Sequence, residues 1–117
     1  MPLFVHGLLE YGLGLLSIMA PFIFSFETDR ATALSIALGT AVLVFGVVTV
    51  APTGLVRSLP LDSHIVLDYL LALLLVASPF IFNFTDDGPA FAYFVVVGIL
   101  QLLLTVLTRF RKLPKER

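Results

Sequence analysis

Four apolar segments, each about 20 residues long, dominate this chain and restrict the folds open to it. They run from about Phe4 to Phe26, Ala31 to Ala51, Ser63 to Phe84 and Ala90 to Thr108. The hydrocarbon core of a bilayer is ~30 Å thick, and ~20 helical residues cross it. The second and fourth segments contain no charged residue. The pattern therefore predicts an all-α bundle of four transmembrane helices.

Composition excludes most other classes of protein. Apolar residues make up 59% of the 117 residues, charged residues make up 13%, and the mean hydropathy is +1.07. A soluble protein of this size is mostly surface and has no interior large enough for so many apolar side chains. The net charge of −1 provides no field that would attract nucleic acid. The absence of cysteine excludes disulfides and thiolate metal sites.

Basic residues predict how the chain is oriented in the membrane. The breaks between the segments are short, so sequential helices should lie side by side and antiparallel. The N-terminus, the middle break and the C-terminal tail then share one side. That side holds six of the seven basic residues, namely Arg57, Arg109, Arg111, Lys112, Lys115 and Arg117. The excess predicts that both termini are cytoplasmic and that the basic tail meets anionic headgroups.

The two halves of the chain are an internal repeat. Displaced by 58 residues, the stretch 6–29 matches 64–87 with 12 identities over 24 positions. A displacement of 59 then aligns Gly39 with Gly98 and Thr49 with Thr108. Each repeat is thus predicted to be a two-helix hairpin. Because each hairpin has an even number of spans, both should have the same orientation in the membrane.

The repeat predicts a single membrane domain with four parts. Repeat one covers 4–51, a linker covers 52–61, repeat two covers 62–108, and the basic cytoplasmic tail covers 109–117. We expect the lipid bilayer to be the main partner of this domain, with a homo-oligomer or a larger membrane complex as further associations. No nucleic-acid partner is expected.

The sequence around each proline occurs in two similar copies, Ala-Pro-Phe-Ile-Phe-Ser-Phe at 20–26 and Ser-Pro-Phe-Ile-Phe-Asn-Phe at 78–84. These copies resemble the signature of the SPW-repeat membrane proteins, with phenylalanine in place of the family's tryptophan. The signature residues are Tyr11, Pro21, Phe22, Tyr69, Ser78, Pro79 and Phe80. The resemblance implies a bacterial or archaeal cell-membrane protein built from paired two-helix repeats. Since no activity is established for that family, the resemblance leaves the function open.

A histidine and a carboxylate lie near the start of each repeat. His6 precedes Glu10, and His64 precedes Asp68, by four residues, so each pair shares one helix face. If the first and third helices meet, two imidazoles and two carboxylates converge. Such a group could relay protons or bind a divalent metal.

A structural interpretation of the same residues is also open. Both histidines are only a few residues inside the apolar segments, where interfacial water could reach them. Asp62 or Ser63 could cap the third helix, and carboxylates near a helix N-terminus are favoured by its dipole. A local bond between each histidine and its carboxylate would then only neutralise the pair.

The prolines and the phenylalanines that follow them predict features of the first and third helices. Pro21 and Pro79 each remove a backbone hydrogen bond, which predicts a kink and a freed carbonyl that needs another partner. The phenylalanines lie close to the predicted outer interface. Aromatic packing at a kinked helix end is the expected result, and a lipid- or pigment-binding shelf is the alternative.

Small and polar residues predict helix packing. Ala31, Ser35 and Gly39 are spaced by four, as are Ala33, Ala37 and Ala41. Such spacing lets helices approach closely. Gln101 is the one strongly polar residue in the middle of the fourth segment, and we expect it to form a hydrogen bond to another helix.

The sequence favours a structural or accessory membrane component without catalysis of its own. No phosphate-binding glycine loop, nucleophile motif or haem-attachment motif occurs in the sequence. The alternative is a protein that handles protons or metal, acting as a small oligomeric transporter through His6, Glu10, His64 and Asp68. No cofactor is predicted, although a divalent metal is possible.

Overall fold

The structure is a computed structural model and describes residues 2–108. Four helices follow one another: α1 Leu3–Ile23, α2 Asp29–Val48, α3 Leu61–Ile81 and α4 Gly88–Leu107. All four are long and apolar enough to cross a membrane. α1 packs along α2, α3 packs along α4, and α1 also contacts α4. The predicted all-α bundle of four transmembrane helices is confirmed.

Polar and charged side chains share the interior of the bundle with apolar ones, and many large apolar side chains face outward. Phe22 and Leu73 are 72% and 67% exposed, whereas Glu10 and Gln101 are 3% and 2% exposed. This distribution reverses that of a soluble protein, in which charged side chains stay outside. It is stable only where the surrounding medium is itself apolar. The chain is therefore a multi-pass membrane protein.

α1 and α3 end three residues before the predicted ends of their segments. Ser25 and Asn83 adopt left-handed backbone conformations, with φ of 55° and 57°. The N–H of Phe26 donates to the carbonyl of Pro21 at 3.0 Å, and the N–H of Phe84 donates to that of Pro79 at 2.9 Å. This six-to-one hydrogen bond across a left-handed residue is the Schellman ending of a helix. The repeated signature thus encodes a helix end.

The same geometry shows where each proline lies in its helix. Pro21 lies two residues before the last residue of α1, and Pro79 lies at the equivalent place in α3. Each proline therefore lies in the final turn of its helix, and only two helical residues follow it. α2 likewise ends at Val48, before the predicted Ala51.

The carbonyl that Pro21 leaves without an N–H donor is that of Ser17, four residues earlier. The hydroxyl of Ser35 on α2 donates to this carbonyl at 2.6 Å. Ser35 and Gly39 are both buried, and a Cβ added to Gly39 would lie 2.6 Å from the carbonyl oxygen of Gly14. The stripe that begins at Ala31 is therefore the face that α2 presents to α1.

The two loops on the predicted outer side, which join α1 to α2 and α3 to α4, are tied together by one buried carboxylate. Asp87 is 1% exposed and accepts from the N–H of Glu27, the N–H of Thr28 and the hydroxyl of Thr28, each at 2.9 Å. It also caps α4 by accepting from the N–H of Ala90 at 3.3 Å. Arg30 donates to the carbonyls of Phe82 and Asn83, each at 3.0 Å.

Aromatic rings fill the space beneath these loops. Phe26 and Phe84, which follow the left-handed residues, turn inward and pack on Tyr93 and Phe94 of α4. The ring centroids of Phe84 and Phe94 are 5.0 Å apart, and those of Phe26 and Tyr93 are 5.8 Å apart. Phe22 and Phe80 point away from the bundle instead, with 72% and 63% of their surface exposed.

The linker folds back over the opposite end of the bundle. The N–H of Val50 donates to the carbonyl of Leu59 at 2.8 Å, and the hydroxyl of Tyr11 donates to the carbonyl of Thr53 at 2.8 Å. α3 begins at Leu61, one residue inside the predicted linker 52–61. The cap of α3 is Pro60, so the expectation that Asp62 or Ser63 caps this helix is wrong. The predicted tail 109–117 lies outside the described residues.

Candidate functional site

The bundle brings together His6, Glu10, His64 and Asp68, which we call the quartet. His6 and Glu10 lie one turn apart on α1, and His64 and Asp68 lie one turn apart on α3. One ligand atom from each of the four lies within 4.8 Å of the others. Their exposed fractions are 1%, 3%, 5% and 4%, so the protein itself shields all four from the interface.

The shortest contacts in the quartet connect the two repeats. His6 Nε2 lies 3.0 Å from Asp68 Oδ2, and His64 Nε2 lies 2.7 Å from Glu10 Oε1. The contacts within each helix, from His6 to Glu10 and from His64 to Asp68, are both 3.2 Å. Nitrogen and oxygen atoms therefore alternate around a closed ring. The structural interpretation, in which each histidine only neutralises the carboxylate on its own helix, accounts for the two longer contacts and not for the two shorter ones.

Two threonine hydroxyls form hydrogen bonds with the second nitrogen of each imidazole. His6 Nδ1 lies 2.7 Å from Thr108 Oγ1, and His64 Nδ1 lies 2.7 Å from Thr49 Oγ1. Each threonine comes from the opposite repeat and directly follows α4 or α2. Both nitrogens of each histidine are thus bound by residues of the other repeat. Sequence reasoning gave the threonines no role, although they align at the displacement of 59 residues.

The threonines also determine which nitrogen of each ring carries hydrogen. Thr49 donates its hydroxyl hydrogen to the carbonyl of Phe45, and Thr108 donates to that of Leu104 at 2.5 Å. Each hydroxyl oxygen is then left to accept from the ring, so Nδ1 must be protonated. Nε2 consequently faces the centre of the quartet.

One proton must lie in each of the two short contacts of the ring. With Nδ1 protonated, either an imidazolium Nε2–H donates to a carboxylate, or a carboxylic acid donates to a neutral Nε2. Both arrangements make the quartet neutral overall. Neutrality matters here because an uncompensated charge is costly to bury in an apolar medium.

Gln101 extends the network on one side only. Its amide nitrogen donates to Glu10 Oε2 at 2.9 Å, which confirms the predicted hydrogen bond to another helix. Thr105 donates to the backbone carbonyl of Gln101 at 2.8 Å. At a displacement of 59 residues, Val42 stands where the second copy has Gln101. Glu10 and Asp68 therefore differ in the surroundings of their carboxylates as well as in the length of their side chains.

One small cavity adjoins the quartet, and a second lies beside Gln101. One, of about 10 Å³, is lined by His6, Glu10 and His64 together with linker residues that include Thr53. The other, also of about 10 Å³, lies between Gln101 and Ser17. Each volume corresponds to about one water-sized molecule. Ser17 in turn lies 2.8 Å from the hydroxyl of Tyr93, so polar groups continue toward the outer loops.

The other predicted residues lie away from the quartet. Tyr11 contacts the linker, as described above, and Tyr69 is 42% exposed on the outside of the bundle. The hydroxyl of Ser78 donates to the carbonyl of Leu74 at 2.5 Å. Of the second stripe of small residues, Ala33 and Ala37 are exposed instead of facing a helix.

The donor atoms of the quartet suit a divalent transition metal. Two imidazole nitrogens and two carboxylate oxygens form a borderline set of the type that holds zinc, and zinc sites commonly have four ligands. The four residues could hold such an ion. The bonds from Thr49 and Thr108 to Nδ1 are of the kind that orient metal-binding histidines.

Comparison with known families identifies a match over most of the chain. A family model described as the SPW repeat domain matches residues 4–108. The match spans all four helices and includes the whole quartet. No curated protein and no solved structure matches the chain.

Proposed function

The chain belongs to the SPW repeat family, and we propose that this member is a structural or accessory component of its membrane and not an enzyme. The observation that carries the proposal is that both nitrogens of each histidine bind the opposite repeat. The quartet then acts as a lock that holds two hairpins in one orientation. A rigid, lipid-facing bundle of this kind is suited to associate with other membrane proteins.

We further propose that the protein resides in the cell membrane of a bacterium or archaeon, with both termini in the cytoplasm. The charge distribution supports this orientation. Arg57 lies in the linker, at the end of the bundle where α1 begins and α4 ends. Arg30 at the other end is accompanied by acidic residues and binds carbonyls that follow α3. Partners are either further copies of the chain or subunits of a larger complex.

Copurification tests the accessory role. The tagged chain is extracted from its native membranes with a mild detergent, and the proteins that accompany it are identified. We expect the same stoichiometric partner, or a defined homo-oligomer, in independent preparations and after chemical cross-linking in intact membranes. A chain that is monomeric after cross-linking, without recurrent partners, would contradict the proposal.

The quartet also supports a second candidate function, the handling of protons or divalent metal. The observation in its favour is that four ligand atoms converge within 4.8 Å in the interior of a membrane protein. Ionisable residues at such positions usually serve transport or ion binding. Because four helices leave little room for a pathway, transport would involve an oligomer.

Liposome reconstitution tests this second candidate. Vesicles containing the chain are loaded with a pH-sensitive or zinc-sensitive dye, and a proton or zinc gradient is then applied. Transport predicts a flux that is lost in Glu10→Gln and retained in Asp87→Asn, which alters a buried carboxylate far from the quartet. A flux equal to that of empty vesicles would rule out transport by the chain alone.

A further inference from the structure

We propose that the quartet is a binding site for one divalent transition-metal ion of the zinc type. The ligands are Nε2 of His6, Nε2 of His64 and one carboxylate oxygen each from Glu10 and Asp68. This inference rests on the second candidate function and specifies its ligand. The inference requires only that the quartet binds the ion, so it can be tested whether or not the chain transports anything.

The dimensions of the quartet fit such an ion. The four nitrogen–oxygen edges of the ring measure 2.7, 3.0, 3.2 and 3.2 Å. In a tetrahedral zinc site with bonds of ~2.1 Å, neighbouring ligand atoms lie about 3.4 Å apart, so each edge of the ring would lengthen by less than about 1 Å to admit the ion. The four ligand atoms are thus already close to the spacing that one such ion requires.

The surroundings of the ligands orient them for binding. Thr49 and Thr108 hold the hydrogen of each ring on Nδ1, so Nε2 is the nitrogen directed at the other three ligands. Gln101 fixes the second oxygen of Glu10 and leaves Oε1 for the ring. Two imidazoles also disfavour calcium and magnesium, which prefer oxygen ligands throughout.

Charge balance gives the ion a specific competitor. Two carboxylates and two neutral imidazoles carry a charge of −2, which either two protons or one divalent cation cancels. The hydrogen bonds already require one proton in each short contact. Binding therefore replaces two protons by one ion, and the buried site stays neutral before and after. This exchange avoids the high cost of an uncompensated charge inside a membrane protein.

Metal titration of the purified protein tests the site directly. The complete chain, prepared without a polyhistidine tag and stripped with a chelator, is titrated with Zn²⁺ by calorimetry and with Co²⁺ by visible absorption. We expect one ion per chain, tetrahedral cobalt bands that zinc abolishes, and about two protons released per zinc ion, obtained by repeating the titration in buffers of different ionisation enthalpy. Wild-type protein that binds neither ion would overturn the inference.

Matched variants locate the ion. His64→Gln and Asp68→Asn should each weaken zinc binding at least tenfold, whereas Asp87→Asn should bind like the wild type. Circular dichroism checks that each variant is helical, and the wild-type titration decides the question if a quartet variant does not fold. Zinc affinity that is unchanged in a folded His64→Gln protein would overturn the inference. Loss of stability in metal-free quartet variants, combined with no zinc binding by the wild type, would reject the metal site and leave the lock intact.

Discussion

At the scale of single residues, the hydroxyl of Ser35 replaces the backbone N–H that Pro21 lacks. Pro21 cannot donate to the carbonyl of Ser17, and the hydroxyl of Ser35 reaches that carbonyl from α2 at 2.6 Å. An unsatisfied carbonyl inside a membrane protein is costly because no water is present to replace the lost donor. Pro21 therefore depends on Ser35 to supply the missing hydrogen-bond donor, although 14 positions separate them in the sequence.

The pair predicts a specific dependence between two substitutions. Ser35→Ala should lower the free energy of unfolding in detergent micelles by about 1–3 kcal/mol, because it leaves a buried acceptor unpaired. In a Pro21→Ala background the helix supplies its own N–H, so the same serine substitution should cost clearly less. Unfolding of the four proteins in the cycle measures this difference. Equal costs in both backgrounds would show that Ser35 acts through packing alone.

Part of the candidate site was visible at the residue scale in the sequence. The spacing of four residues placed His6 with Glu10 and His64 with Asp68, and the repeat gave both pairs the same depth. Thr49 and Thr108 had no comparable signal, because threonine is common in apolar helices and a displacement of 59 residues assigns it no partner. The bonds from these threonines to the histidines depend on how the linker and the end of α4 close over the bundle.

At the scale of secondary-structure elements, the repeated signature determines where α1 and α3 stop. The hydropathy pattern predicted that the two segments end at Phe26 and Phe84, because phenylalanine is apolar whether it lies inside a helix or just beyond its end. The actual ends depend on the left-handed conformation of Ser25 and Asn83, which hydropathy does not detect. The existence and order of the four helices were therefore predictable, whereas their ends were not.

The left-handed residue gives a prediction for the end of α1. Ser25→Gly should raise the free energy of unfolding by about 0.5–1 kcal/mol, because glycine adopts positive φ without a steric penalty. Ser25→Val should lower it, since a branched side chain is disfavoured there. Asn83→Gly should gain less, because asparagine tolerates this conformation better than serine. Thermal unfolding in micelles would contradict this account if the valine variant matched the wild type.

The two small-residue stripes of α2 provide a matched test of helix packing. Gly39 faces α1, and a Cβ there would lie 2.9 Å from Cβ of Ser17, whereas Ala37 is exposed on the other side. Gly39→Leu should lower the free energy of unfolding by ~1–3 kcal/mol or more, because the added side chain overpacks the contact with α1. Ala37→Leu adds a similar volume on the exposed side and should change the unfolding free energy by less than ~0.5 kcal/mol. Similar losses in both variants would mean that α2 packs by a different face.

At the scale of the whole molecule, the fold is a duplicated hairpin with a buried polar network and many large apolar side chains on its surface. The repeat and the hydropathy together predicted the duplicated hairpin, because both the two copies and the four apolar segments can be read from the sequence. They did not predict how tightly the repeats are joined. Convergence of the quartet requires α1 and α3 to approach at one depth, and that approach depends on packing between residues far apart in the sequence.

The orientation of the whole molecule can be measured by site-specific labelling. The chain lacks cysteine, so single cysteines introduced at Ser58 in the linker and at Thr85 in the second outer loop report without background. Both positions are exposed. In intact cells a membrane-impermeant maleimide should label Thr85→Cys only, and Ser58→Cys should react after the cells are opened. The reverse pattern would contradict cytoplasmic termini.

The central claim is that the quartet joins the two repeats, and a double-mutant cycle between His64 and Glu10 tests it most directly. Unfolding free energies of the wild type, His64→Gln, Glu10→Gln and the double variant give the coupling energy of a contact that spans the repeats at 2.7 Å. We predict a coupling of at least about 1 kcal/mol, as expected for residues in one buried network. A coupling within ~0.3 kcal/mol of zero would mean that the two residues act independently, and it would contradict the account.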